Sequence, residues 1–212
     1  MIDSIIFDLD GTLWDATDGA AVIWREEASK YKEVTEDITA DKLKALYGLP
    51  LEDIALKLLP SVSPDIALSI MKESIVKQCP YLAKVGGILY PNLEETLIEL
   101  KKKYRLFIVS NCEEGYIQCF FKAHGLDKYF EDFEYPGRSK RFKADNIKDV
   151  IKRNNLKSPI YVGDTKGDCK ASKEANVPFV YARYGFGQVD DFTWVIDSFD
   201  EILNLDILNL DK

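Results

Sequence analysis

The segment Ser4-Ile5-Ile6-Phe7-Asp8-Leu9-Asp10-Gly11-Thr12 constrains this chain more than any other. A short apolar run that ends in acids and then glycine reads as a buried strand followed by a turn. Three later runs repeat the plan. Leu106-Phe107-Ile108-Val109 ends in Ser110-Asn111, Ile160-Tyr161-Val162 ends in Gly163-Asp164, and Val177-Pro178-Phe179-Val180-Tyr181 ends near Arg183 and Gly185. Helical patterns lie between them. Leu93, Leu97 and Leu100 share one helix face, as do Ile147, Val150 and Ile151, and residues 167–175 form a short candidate. Ser198-Phe199-Asp200-Glu201 fits a capping box that opens a Leu/Ile-rich C-terminal helix. Strand and helix in alternation predict a Rossmann-like parallel α/β sheet, with ligands outside the carboxyl ends of its strands. Asp8, Asp10, Ser110, Asn111 and Asp164 would gather there.

Residues 15–83 break the alternation, because they hold helical stretches and no convincing strand. Thr39 can cap a helix carrying Leu43 and Leu46, and residues 51–59 follow Pro50. Ser63-Pro64-Asp65 supplies an N-cap, a first-position proline and a first-turn acid ahead of Ala67, Met71 and Ile75. The expected organisation is an α/β core from residues 1–14 and 84–212, interrupted by an inserted all-helical domain over 15–83. Gly86-Gly87 and the chain around Asp15 are the expected hinges.

Composition narrows the function classes. The 212 residues are 46% hydrophobic and 30% charged, ordinary for a folded globule and too apolar for disorder. The 28 Lys and Arg against 36 Asp and Glu leave a net charge of −8, which disfavours a nucleic-acid partner. No run approaches the roughly 20 apolar residues of a membrane span, and Met1-Ile2-Asp3-Ser4 lacks the basic start of a secretory signal. Cys79, Cys112, Cys119 and Cys169 form no CxxC pair, and a lone His124 completes no zinc set. Reduced thiols in a cytoplasmic protein, a monomer or weak dimer, are expected.

The acids carry the chemistry. Alternate positions of an extended chain face one side, so Asp8 and Asp10 are expected to share a face, with Asp164 arriving from another strand end. Three converging carboxylates repel one another unless a cation or proton neutralises them, and hard oxygen ligands suit Mg²⁺. Strand-end acids also cap helices; Ser110 and Lys143 in the same constellation favour the site.

These motifs resemble the haloacid dehalogenase superfamily. Asp8-Leu9-Asp10-Gly11-Thr12 is similar to its first motif, Ser110 to its second, Lys143 to its third, and Gly163-Asp164 through Asp168 to its fourth. The helical insert resembles the cap of the subgroup that includes phosphoglycolate phosphatase and β-phosphoglucomutase. The resemblance implies a phosphatase acting on a small phosphorylated metabolite, phosphoglycolate phosphatase-like, with phosphoglycolate the first substrate to expect. Asp8 would be its nucleophile and Asp10 its general acid and base. Mg²⁺ would be held by Asp8, the Asp10 carbonyl and Asp164. Ser110 and Lys143 would bind the phosphoryl group with backbone N–H groups around Leu9 and Asn111, and Asp168 would position Lys143 or a metal-bound water. Lys140 is the competing lysine, and Ala144 stands where the family often has proline. A phosphomutase or a non-catalytic aspartyl-phosphate sensor would share this core. Carbon–halogen hydrolysis is disfavoured by the presence of Asp10.

Other residues are given quieter roles. Trp14 is expected near the hinge or the substrate, Asp15 as a helix cap, and His124 at a helix C-terminus before Gly125. The loop Tyr47-Gly48-Leu49-Pro50 lies where related caps carry specificity, and it offers no cation. Lys44 or Lys57 would have to compensate.

Overall fold

The computed structural model describes residues 2–208. Six parallel strands make the main sheet: β1 (Ser4–Phe7), β4 (Arg105–Val109), β5 (Asp132–Glu134), β6 (Pro159–Gly163), β7 (Phe179–Ala182) and β8 (Trp194–Ile196). Their order is β5-β4-β1-β6-β7-β8. The central strand β1 is buried along its whole length, as continuous β-branched and aromatic residues require in a sheet covered on both faces. Side chains alternate between two cores. Ile5, Phe7, Leu106, Ile108, Ile160 and Val162 enter one; Ile6, Phe107, Val109 and Tyr161 enter the other.

Helices close both faces. α5 (Leu93–Lys101) and α6 (Tyr116–His124) supply Leu97, Leu100, Ile117 and Phe120 to the first core. The short α7 (Pro136–Ser139) precedes α8 (Lys143–Asn154), which with α9 (Lys166–Glu174) covers the second through Ile147, Val150 and Ala171. Register aligns the strand ends. Phe7 is level with Ile108 on one side and Val162 on the other. Asp8, Ser110 and Asp164 therefore leave the sheet within one residue of the same level, beside the point where chain order switches across β1.

Between β1 and β4 the chain forms α1 (Thr17–Ala28), α2 (Ala40–Lys44), α3 (Leu51–Leu58) and α4 (Pro64–Val85). These four helices enclose a core of their own that includes Trp24, Leu43, Ile54, Ile70 and Met71. Buried Glu27 on α1 pairs with Lys77 on α4 at 2.5 Å. The chain enters and leaves this insert through two antiparallel strands, β2 (Trp14–Asp15) and β3 (Ile88–Leu89).

Several elements differ from expectation. β2, β3, β5 and β8 have two or three residues each, too few to show a period. The C-terminal capping box does not form. Glu201 accepts the Asp197 N–H at 2.6 Å instead of turning back on Ser198, and 3₁₀ turns at Phe199–Asn204 and Asp206–Leu208 replace the capped α-helix. The end of that expected helix lies outside the described residues. Asp15 does accept from the first turn of α1, through Thr17 N at 2.9 Å. His124 ends α6 as expected, but it packs on Trp14 and Phe120, and burial lowers its pKa.

Candidate active site

The end of β1 turns sharply at Gly11, and the Leu13 N–H bonds the Leu9 carbonyl at 2.8 Å. The strand ends at Phe7, so its alternation does not extend through Asp10. The described carboxylates that come together are Asp8, Asp164 and Asp168, each offering an oxygen within 4.8 Å of the others. Asp10 lies outside this set; its side chain turns to Trp14 and Tyr116. Asp8 remains close enough to Asp10 to help raise its pKa.

Lys143 is the cation of the cluster. Its Nζ lies 3.0 Å from Asp8 Oδ1 and 2.5 Å from Asp168 Oδ1, and all three side chains are buried. Lys140 instead bonds the Gly137 carbonyl. Asp168 is fixed from its other oxygen, where Oδ2 accepts from Thr165 N at 2.9 Å and Thr165 Oγ1 at 2.6 Å in the capping box of α9. Tyr161 also donates to it, at 3.3 Å. Asp164 accepts from Phe186 N at 2.7 Å and Thr12 Oγ1 at 3.4 Å. Backbone approaches it so closely that a Cβ on Gly11 or Gly185 would sit 2.2 or 2.3 Å from its atoms. The Leu9 N–H lies beside the Asp8 carboxylate and favours its anion. Ser110 is buried at the end of β4, its N–H donating to the Glu134 carbonyl. Asn111 reaches across to the insert, where its Nδ2 donates to the Gly48 carbonyl at 3.0 Å.

Electrostatics separate the two aspartates of the first turn. Burial, reinforced by Asp168, raises the Asp8 pKa to about 6 against the opposing pull of Lys143. Burial raises Asp10 further, to about 8, although hydrogen bonds from Tyr116 and Trp14 favour its anion. Those donors, Tyr116 OH at 2.7 Å and Trp14 Nε1 at 3.0 Å, share Oδ1 and leave Oδ2 for a proton. Burial and the neighbouring acids also push Asp164 well above the usual carboxylate range. Three buried carboxylates against one lysine leave room for a divalent cation. Their all-oxygen chemistry fits Mg²⁺.

A family model for haloacid dehalogenase-like hydrolases matches residues 5–182. The chain belongs to this family. The hydrolase is 27% identical over 225 residues to the phosphoglycolate phosphatase of Vibrio parahaemolyticus, covering 96% of each chain. It is 27% identical over 217 residues to that of Colwellia psychrerythraea, covering 94% of each. Its fold matches a haloacid dehalogenase-like family hydrolase from Streptococcus pneumoniae with a TM-score of 0.83 at 23% identity, over 96% of this chain and 97% of that one. A predicted phosphoglycolate phosphatase from Haemophilus somnus gives 0.82 at 22%, with the same coverage.

Above Asp10 the hydrolase holds a cavity of about 760 Å³ between its core and the insert. Tyr47 of the insert lies beside Tyr116 and Gln78, near Asp10. Lys44 does not face the cavity as a free cation: it pairs with Asp15 at 2.8 Å and lies over the Phe186 ring. Asp190 and Asp191 pair with Lys166 and Lys173 on the surface. Sequence reasoning missed Tyr116 and the Phe186 N–H. Tyr116 lies 106 residues from its partner, and no local pattern marks it. The glycines flanking Phe186 were the one available hint, since Gly185 permits the close approach to Asp164.

Proposed function

We propose that this hydrolase is a Mg²⁺-dependent phosphomonoesterase that works through an aspartyl-phosphate on Asp8. The observation that carries the reading is the contrast between two acids on one turn. Asp8 faces a lysine, whereas Asp10 is held by two donors with its pKa at about 8 and opens onto the cavity.

In the first step an Asp8 carboxylate oxygen bonds to phosphorus as the ester P–O bond breaks, and Asp10 gives its proton to the departing alkoxide. Asp10, now a carboxylate, then takes a proton from water. The resulting hydroxide attacks phosphorus and releases inorganic phosphate, which restores Asp8 and reprotonated Asp10. Lys143, Ser110 and the backbone N–H groups of Leu9 and Asn111 hold the phosphoryl oxygens, and Asp168 fixes Lys143. Mg²⁺, held by Asp8, Asp164 and the Asp10 carbonyl, would supply the positive charge that lets two anions meet. The substrate is a small phosphorylated metabolite, and the four free thiols accord with a reducing, cytoplasmic setting. The helical insert serves as the cap that selects the alcohol.

Hydrolysis of a generic aryl phosphate with Mg²⁺, lost on adding EDTA and in Asp8→Asn, is the expected result. Substantial turnover by purified Asp8→Asn would remove Asp8 as nucleophile.

A further inference from the structure

The cavity is polar at one end only. Asp10, Asn111 and Lys143 form its floor. The insert's wall is apolar and aromatic, with Trp24, Tyr47, Leu49, Ile54 and Ile75 facing inward. Its volume of about 760 Å³ falls in the range of roughly 300–1,000 Å³ that holds drug-sized ligands. The insert is already seated. Asn111 holds Gly48, Lys44 holds Asp15, and the Tyr47 and Phe186 rings meet edge to face at 6.2 Å. The volume is therefore not a gap left by a lifted insert.

The cations on the core side of the cavity are held by neighbours. Lys143 is held by Asp8 and Asp168, and Arg141 is gripped by Asp149 at 2.7 and 2.9 Å. Lys140 bonds a carbonyl, and Lys72 lies on the exposed face of α4. Glu52, Glu113 and Glu114 border the same space. A leaving group with its own carboxylate, such as glycolate, finds no cation on the wall of Trp24, Tyr47, Leu49, Ile54 and Ile75. Burying an unpaired carboxylate there is costly.

We infer that the substrate is a phosphomonoester whose alcohol is uncharged and carries a flat aromatic ring, a nucleoside 5′-monophosphate being the form that fits the cavity. The inference rests on the phosphatase reading and narrows it. Its phosphate meets Asp8 and Lys143, its ester oxygen meets Asp10, and its ring lies against the wall built by Trp24, Tyr47 and Ile75. Ring stacking rewards the aromatic part, and the wall asks for no charge.

The test compares kcat/KM with Mg²⁺ for adenosine and uridine 5′-monophosphates, 2-phosphoglycolate and acetyl phosphate. The expected result is that the better nucleotide exceeds 2-phosphoglycolate by about tenfold or more. Equal or faster turnover of 2-phosphoglycolate overturns this inference and leaves the phosphatase reading standing. Silence on all four overturns both. Two variants that each place a cation in the wall, Ile75→Arg and Leu49→Lys, are expected to lower nucleotide turnover and raise that of 2-phosphoglycolate. A thermal transition close to that of the parent protein reports that the variants are folded. An unchanged substrate ratio in both folded variants counts against the wall as the selecting surface.

Discussion

Tyr116 stands 106 residues from Asp10 and yet donates to it at 2.7 Å, through the same oxygen that Trp14 holds. A donor to the carboxylate favours its charged form, so the hydroxyl pulls the Asp10 pKa down while burial pushes it up. Removing it in Tyr116→Phe is expected to lower kcat at neutral pH by about tenfold, because Asp10 loses its orientation. The basic limb of the kcat–pH profile is expected to move to higher pH. A drop in kcat with an unmoved limb would mean that Tyr116 merely packs. At this scale the sequence was informative for residues embedded in motifs. Asp8 and Asp164 were legible from strand-end chemistry, whereas Asp168 and Lys143, both in helices, were marked by the resemblance to family motifs. The direction of the Asp10 side chain was not legible, because the strand ends at Phe7 and with it the period on which the expectation relied.

Helix α9 begins where Thr165 and Asp168 cap each other reciprocally. One hydroxyl accepts from Asp168 N at 3.2 Å and donates to Asp168 Oδ2 at 2.6 Å. Thr165→Val keeps the branched shape and removes both bonds. A loss of about 1–2 kcal/mol is expected. For a chain of this length that lowers Tm by roughly 2–8 °C, measured by calorimetry in EDTA. An unchanged Tm would show the cap to be without energetic weight. The four strands with strong apolar runs and the helical nature of residues 15–83 were readable from pattern. The edge strands β5 and β8 and the β2–β3 pair were not. Each is stabilised by a neighbour's backbone hydrogen bonds rather than by its own periodicity. The C-terminal turn failed for a related reason, since Glu201 found a different backbone partner.

The molecule as a whole carries its acids at a cost that depends on pH. Folding raises Asp8 from 3.8 to about 6 and Asp10 from 3.8 to about 8. The folded chain thus binds protons more tightly than the unfolded one. The stability these groups contribute is fully present below about pH 4 and is lost as pH rises through about 6 and then about 8. In EDTA, Tm is expected to fall from about pH 5.5 to about pH 8.5. Added Mg²⁺ is expected to raise Tm most at the alkaline end, where fewer protons compete for the carboxylates. A Mg²⁺ effect that shrinks with rising pH would contradict the carboxylate site. The paired strands at Trp14–Asp15 and Ile88–Leu89 bear on a different question. Entry and exit of the helical insert lie side by side, so the whole roof hangs from a single seam. A foreign roof spliced at that seam leaves the six-stranded sheet and its acids in register. If the insert selects the alcohol as proposed, substrate preference is replaceable as one cassette while the hydrolytic machinery beneath is inherited intact.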